Sequence, residues 1–413
     1  MSEEASSPPT KLPRPVITWK KSFSDWINHA WRGNYSDELV ESRLLSILPF
    51  FPESDGTRTA KLINTDVGDG KYIHELFIEN KNPPNEQSPK NLDVVLVHGY
   101  AASLGLFIDN FDSLSSIPGI RIHAIDLPGF GFSSRTKFPN YSNSKEDILK
   151  TEDWFIDGIE EWRKKRKINN FTLLGHSFGG YLSCAYTLKY NKNNLIDKLV
   201  LISPCGVERN RYSLLKNNPA PGADDQDVQL QNEAGIEQLP AGEQSRTGRI
   251  FQSLWNSDVS IFSFVRNAGP MKSKMMGGWT TSRFGHLYYQ DPKHFQYFHD
   301  YIYRVFNGKG SGEYALTRVY AFWALARLPL LDRCPEKFVN MNLPTLWLYG
   351  DRDWMDSHAG LRMKEEINVL SQKRYNKDLA SYGIISHAGH HLYLDNPTGF
   401  NKQLFNFLRA PTL

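Results

Sequence analysis

Ten residues, Phe171-Thr172-Leu173-Leu174-Gly175-His176-Ser177-Phe178-Gly179-Gly180, constrain this chain more than any other stretch. The apolar start reads as a strand, and Leu182, Ala185 and Leu188 continue beyond it at helical spacing. A serine flanked by Gly175 and Gly179 at such a strand-to-helix turn can hold a strained backbone with its hydroxyl pushed out of the sheet. The glycines leave room for the helix to pass close by. Ser177 is therefore the candidate nucleophile. The bland alternative is a tight glycine turn with a bystander serine, and the rest of the chain must decide between them.

Six further stretches carry the same strand signature. Residues 60–79 read as two strands around a turn at Gly68-Asp69-Gly70, and Asp93-Val94-Val95-Leu96-Val97 as a strand buried on both faces of a parallel sheet. It runs into His98-Gly99-Tyr100-Ala101, the kind of turn that gives a serine hydrolase one oxyanion N–H, assigned to Tyr100. The second comes from Phe178, the residue after the nucleophile. Arg121-Ile122-His123-Ala124-Ile125 precedes the glycine-rich exit Asp126-Leu127-Pro128-Gly129-Phe130-Gly131. A helix follows, with Ile148, Phe155, Ile159 and Trp162 on one stripe. It closes on Arg163-Lys164-Lys165-Arg166-Lys167, cations at the negative end of a helix dipole. Lys198-Leu199-Val200-Leu201-Ile202-Ser203 is the next strand. Alternation resumes at Leu343-Pro344-Thr345-Leu346-Trp347-Leu348-Tyr349-Gly350, with a helix from about Gly360, a strand over 381–385 and a closing helix over 397–408.

Between these blocks, residues 206–335 show no strand–helix rhythm and read as a cap inserted into the core. The expected layout is a tail and Trp-rich helix over 1–40, core over 60–205, cap over 206–335 and core over 336–413. Within the cap, 217–244 is a polar, mobile loop, whereas Leu254-Trp255, Met271, Trp279, Tyr288-Tyr289, Phe295, Phe298, Tyr301 and Tyr303 suit either a wide apolar cleft or a small helical core. Residues 1–15 are polar and proline-rich, so disorder is expected. Trp19, Phe23, Trp26, Ile27, Ala30 and Trp31 then recur at helical spacing beside Lys20, Lys21 and Arg32. This is either a helix lying in a membrane interface or one docked on its own domain.

At 413 residues the chain exceeds a single-core size, and 40% apolar with 23% charged residues is an ordinary globular balance. A net charge of +3 is too small to argue for nucleic acid. Cys184, Cys205 and Cys334 are too few and too far apart for a disulfide framework or a zinc site, so no metal or cofactor is implied. No run approaches the roughly 18 apolar residues that span a bilayer.

Acyl cleavage by serine needs a base to take the hydroxyl proton and an acid to fix that base's tautomer. In one such architecture the order is Ser, then Asp or Glu, then His, each after a strand. Ser177, Asp353 and His390 stand in that order, each at a predicted strand end. Asp351 and Asp356 rival Asp353, and His391 rivals His390. His98 and His176 flank the site and read as structural.

These residues, with the 126–131 exit, resemble the α/β-hydrolase fold over about 60–410. That implies a mostly parallel sheet flanked by helices with an inserted, mainly helical cap. Gly350-Asp351-Arg352-Asp353-Trp354-Met355-Asp356, His390-His391-Leu392-Tyr393-Leu394-Asp395-Asn396-Pro397, Gly277-Gly278-Trp279 and Gly310-Ser311-Gly312-Glu313-Tyr314 carry a closer resemblance. It is to the fungal phospholipid-remodelling branch, which includes a mitochondrial cardiolipin-specific deacylase and a soluble lysophosphatidate acyltransferase. The animal lipid-droplet lipase coactivator of that branch has lost the serine that is present here. The resemblance implies a working esterase acting on phospholipid at a membrane surface. It also implies a mitochondrial, peripheral location, with cytoplasm or lipid droplet as alternatives. Glu3 and Glu4 speak against a simple import signal at Met1. His390 and Asp395 match the branch's His-x4-Asp element, read as an acyltransferase signature, which brings acyl-CoA in as a candidate partner. One acyl-enzyme can pass its acyl group to water or to a lysophospholipid hydroxyl, so both outcomes stay open, as does a non-catalytic lipid-surface coactivator.

Overall fold

The computed structural model describes residues 17–31, 35–86, 88–89, 92–215 and 260–410. The expected tail over 1–15, the loop over 217–244 and Leu254-Trp255 lie outside the described residues. The chain divides into two compact units, Leu48–Ile261 with Gly308–Leu413, and Met1–Ile47 with Phe262–Asn307.

Among its described residues the larger unit has ten strands: β1 (Arg58–Gly68), β2 (Lys71–Asn80), β3 (Asp93–Val97), β4 (Arg121–Ile125), β5 (Phe171–His176), β6 (Ile196–Ile202), the two-residue β7 (Tyr320–Ala321) and β8 (Leu325–Ala326), β9 (Thr345–Gly350) and β10 (Ala380–Ile385). Eight of them form one sheet in the order β1-β2-β4-β3-β5-β6-β9-β10, and β7 pairs with β8. The β1–β2 and β2–β4 pairs are antiparallel and all others in the large sheet are parallel. The apolar runs explain this order. Strands β3, β4, β5, β6 and β9 are almost wholly buried, as parallel strands covered by helices on both faces must be. β1 and β10, at the two edges, are instead partly or fully exposed at most positions.

Two flanking helices show how the covering works. The helix Phe178–Tyr190 is buried from Phe178 through Thr187, so it serves as core as well as connection. The helix Lys145–Lys165 buries one stripe, Ile148, Phe155, Ile159 and Trp162, and Ser144 caps its start. After β9 the helix begins at Ser357 rather than at Gly360. Asp356 accepts the N–H groups of His358 and Ala359 and thereby starts it one turn earlier.

The smaller unit is helical. Phe284 and Phe298 pack at 4.6 Å between ring centroids, with Phe295, Tyr301 and Tyr303 also buried, so these cap rings form the unit's own core. The Trp-rich segment is the helix Trp19–Trp31, and its orientation is the reverse of an ordinary docked helix. Among its described side chains the buried ones are Ser22 and Asp25, whereas Trp19 is 58% and Phe23 51% exposed. Polar contacts hold it: Ser22 donates to the Pro270 carbonyl at 2.7 Å and accepts from the Lys274 N–H at 2.8 Å, and Ser273 donates to Asp25. Docking on its own unit and presenting its aromatic face outward are thus compatible. Residues 308–335, sequentially part of the insertion, belong to the larger unit. Among the described residues no helix is long and apolar enough to cross a membrane.

Candidate active site

Ser177 sits immediately after β5, in the middle of the sheet, with φ +53° and ψ −119°. Backbone in that region is costly for any residue other than glycine and persists only when its surroundings hold it. Here the Ser177 N–H donates to Ile202 O at 2.9 Å, and the Ser177 carbonyl accepts from Tyr181 at 3.1 Å. The flanking glycines are explained by contact. A Cβ on Gly175 would run into Gly179 O and Ser183 Oγ, and one on Gly179 into the carbonyl oxygens of His98 and Val97, all closer than 3 Å.

Three side chains far apart in sequence meet here. The Ser177 hydroxyl lies 2.9 Å from His390 Nε2, and His390 Nδ1 lies 3.2 Å from Asp353 Oδ1. All three are buried or nearly so: Ser177 is 8% and His390 7% exposed, and the Asp353 side chain 1%. Burial pushes the Asp353 carboxyl up, but the hydrogen bond and charge of His390, the Ser203 hydroxyl and the Met355 N–H outweigh it. The group ends below the ordinary carboxylate range.

The rival residues have other work. Asp351 accepts the N–H groups of His387 and Ala388 at 2.8 and 2.9 Å, which shapes the turn leading to His390. Asp356 caps the helix after β9. Asp395 accepts the Gly389 N–H at 2.8 Å, one residue before the imidazole, while Asn396 caps the last helix through the Gly399 N–H. His98 donates from Nδ1 to Gly99 O at 2.7 Å and accepts the Leu127 N–H at Nε2 at 2.9 Å. It therefore ties the turn after β3 to the exit of β4. His176 donates from Nε2 to the His390 carbonyl at 2.9 Å. Its pKa is held well below the ordinary histidine value, by burial first and the neighbouring His390 second.

Of the two expected oxyanion donors, Phe178 directly follows Ser177 and Tyr100 lies on the turn after β3. Phe178 is the first residue of its helix, where a helix N–H has no intrahelical partner. The turn carrying Tyr100 passes against the nucleophile, since a Cβ on the adjacent Gly99 would come 2.9 Å from Ser177 Cβ. The Tyr100 hydroxyl anchors this turn by donating to Glu313 O at 3.2 Å.

Two neighbours escape sequence reasoning. Ser203, just after β6, donates to Asp353 Oδ2 and lies 2.8 Å from His390 Nδ1. Cys205 touches Tyr320 OH at 2.8 Å, and burial pushes its thiol up to about 12, so it stays protonated beside the serine. A shallow surface cavity of about 360 Å³ near Tyr72 and Trp154 includes none of these residues. Among the described residues no three His, Cys, Asp or Glu side chains are placed to hold a metal ion.

Comparison with known proteins bears on the fold and the family. Residues 94–397 match the model of the alpha/beta hydrolase fold family. A 1-acylglycerol-3-phosphate O-acyltransferase of Arabidopsis thaliana is 31% identical over 402 residues, covering 94% of this chain and 82% of its own. One of Saccharomyces cerevisiae is 29% identical over 86% of this chain and 90% of its own. The (lyso)-N-acylphosphatidylethanolamine lipase of Homo sapiens is 30% identical over 77% of this chain and 78% of its own. Among solved structures, carboxylesterase CesB of Bacillus subtilis superposes with a TM-score of 0.51 at 14% identity, covering 90% of this chain and 96% of its own. That likeness bears on the fold alone. Sheet order, matched family model and full-length relatives together assign this chain to the α/β-hydrolase family, in its lipid-remodelling branch.

Proposed function

We propose that this chain is a serine esterase that cleaves acyl esters of phospholipids at a membrane surface. The observation that carries the reading is the 2.9 Å contact of the Ser177 hydroxyl with an imidazole backed by a buried carboxylate, on a turn where Ser177 has φ +53°. Ser177 Oγ attacks the ester carbonyl carbon as its proton passes to His390 Nε2, and the carbonyl π electrons move onto oxygen. The N–H groups of Phe178 and Tyr100 receive that oxyanion. Collapse expels the glyceryl oxygen, which takes the proton from His390 and leaves an acyl-enzyme. Water, entering by the same steps in reverse, releases the fatty acid. Asp353 keeps the imidazole in the tautomer that accepts at Nε2 and steadies its charge.

The smaller unit supports the lipid-surface part. Trp19 and Phe23 are exposed beside Met271 and Met275, which are 47% and 45% exposed, and the Lys274 ammonium stands 5.0 Å over the Trp19 ring. Residues 261–290 contain Arg266, Lys272, Lys274 and Arg283 and no acidic residue. An aromatic and methionine-rich face bordered by cations suits a bilayer carrying anionic headgroups. Cardiolipin is the substrate proposed from the family resemblance, and a mitochondrial membrane the proposed location, which subcellular fractionation tests.

A second reading has an observation of its own. Relatives similar over most of the chain are named as acyltransferases, and the same acyl-enzyme can be intercepted by a lysophosphatidate hydroxyl, with acyl-CoA as donor. Asp395 does not separate the two, because its carboxylate braces Gly389. Purified protein assayed on cardiolipin vesicles, and separately with labelled acyl-CoA and lysophosphatidate, distinguishes them by product. Ser177→Ala abolishes both on this account. A non-catalytic coactivator would leave Ser177 unlabelled by a fluorophosphonate while vesicle binding persisted.

A further inference from the structure

We propose that Ser203 is a positioning residue of this site, a fourth side chain that holds His390 and Asp353 in register; the inference rests on the reading of Ser177 as nucleophile. β6 runs between β5, which delivers Ser177, and β9, which leads into Asp353. The residue directly after β6 is therefore delivered between the two. Its backbone makes the delivery specific: Ser203 has φ +44°, and its N–H still donates to Leu348 O at 2.7 Å, so the chain turns sharply while remaining tied to β9. A non-glycine residue in that region is paid for by its surroundings.

The hydroxyl then makes two contacts. It donates to Asp353 Oδ2, and it lies 2.8 Å from His390 Nδ1, nearer than the 3.2 Å that separates Nδ1 from Asp353 Oδ1. The Nδ1–H is thus shared between a carboxylate oxygen and a hydroxyl whose own proton is committed to the other oxygen of the same carboxylate. Asp353 Oδ1 also takes the Met355 N–H at 3.1 Å. Ser203 is wholly buried, so water does not replace it. Removing the hydroxyl leaves Oδ2 without this donor in a buried site and leaves the imidazole on its longer contact alone, free to tilt away from Ser177.

The same geometry makes a stronger statement: position 203 stands close enough to Nδ1 to carry the acid itself. Aspartate tolerates positive φ better than most residues, so Ser203→Asp fits the turn. The test uses full-length protein, a fluorophosphonate probe for Ser177 and p-nitrophenyl butyrate as a soluble ester. Ser203→Ala is expected to lower the labelling rate and kcat together by about 10- to 100-fold with KM within about twofold. Asp353→Asn is expected to lower both by about 10³-fold or more, and the double variant Ser203→Asp, Asp353→Asn to recover at least about tenfold of that loss. A residue that only fills space would not give this recovery. Labelling of Ser203→Ala at the wild-type rate, or a double variant no faster than Asp353→Asn, overturns the proposal. If Ser203→Ala does not fold, the second comparison decides alone. Failure of the wild type itself to label would instead count against the nucleophile assignment, which separates the two claims.

Discussion

His176 donates from Nε2 to the backbone carbonyl of His390 at 2.9 Å, so the residue preceding Ser177 holds the main chain of the imidazole that Ser177 touches. The loop of the base is braced twice more, by Asp351 at His387 and Ala388 and by Asp395 at Gly389. Position, rather than an unusual local environment, is what these residues supply. Burial first holds the His176 pKa well below the ordinary histidine value, which favours the neutral ring that makes this brace.

Loss of that donor should therefore cost turnover and little else. His176→Phe removes this hydrogen bond, about 1–3 kcal/mol, together with the 3.4 Å contact of Nδ1 with the Tyr393 hydroxyl, and is expected to lower kcat on a soluble ester about 10- to 100-fold with KM nearly unchanged. Steady-state kinetics check this; an unchanged kcat would mean that the His390 loop is held by Asp351 and Asp395 alone.

A buried ionic cluster governs the pH range of folding. Glu75, fully buried, accepts from His123 at 2.7 Å, the Trp162 indole at 3.0 Å and Arg166 at 2.8 Å. Burial pushes the Glu75 and Asp93 carboxyls up, but His123 with Arg166 or Arg121 overrides it, and both lie below the usual range, Asp93 at about 2. Burial pulls His123 down, and these same two carboxylates override that and raise it. The carboxylate contribution is present above the ordinary carboxylate values and lost as pH falls. The histidine contribution is complete below the ordinary histidine value and lost as pH rises through the raised one. Urea unfolding should show a stability maximum near pH 5–6.5, flattened in Glu75→Gln, which is expected to cost about 3 kcal/mol at that maximum.

The elbow tolerates no side chain at position 179. Gly179→Ala drives a Cβ into the carbonyl oxygens of His98 and Val97. A destabilisation of about 2–4 kcal/mol is expected, with loss of Ser177 labelling even in the folded fraction. Thermal unfolding and probe labelling on one preparation measure both.

Lipid binding should separate from chemistry. Replacing Trp19 or Phe23 by Ser removes exposed apolar surface from the smaller unit. On the proposed reading each weakens partition onto cardiolipin-containing vesicles about tenfold, roughly 1–2 kcal/mol, and leaves turnover of a soluble ester within twofold. Vesicle co-sedimentation gives the first quantity; binding of both variants as tight as that of the wild type would remove the membrane role from this helix.

Much of this was legible in the chain for one reason: strands covered on both faces have to be apolar throughout. Asp93–Val97 and Arg121–Ile125 stand where their apolar runs place them, and Ser177, Asp353 and His390 follow their strands in the order read. What stayed hidden depends on distance or on backbone. Nothing near Ser203 in sequence announces a role that comes from β6 lying beside β9 and from a φ of +44°. The inverted helix at Trp19 was ambiguous because the groups that bury Ser22 and Asp25 lie 248 residues away, at Pro270 and Ser273. Periodicity reports which face is apolar; it does not report which face is docked.

The central claim is that Ser177 is acylated during phospholipid cleavage. The most direct measurement is fatty-acid release from cardiolipin vesicles by wild-type protein and by Ser177→Ala at matched vesicle binding. The account predicts release by the wild type and a loss of about 10³-fold or more in the variant. Equal release by both would contradict it.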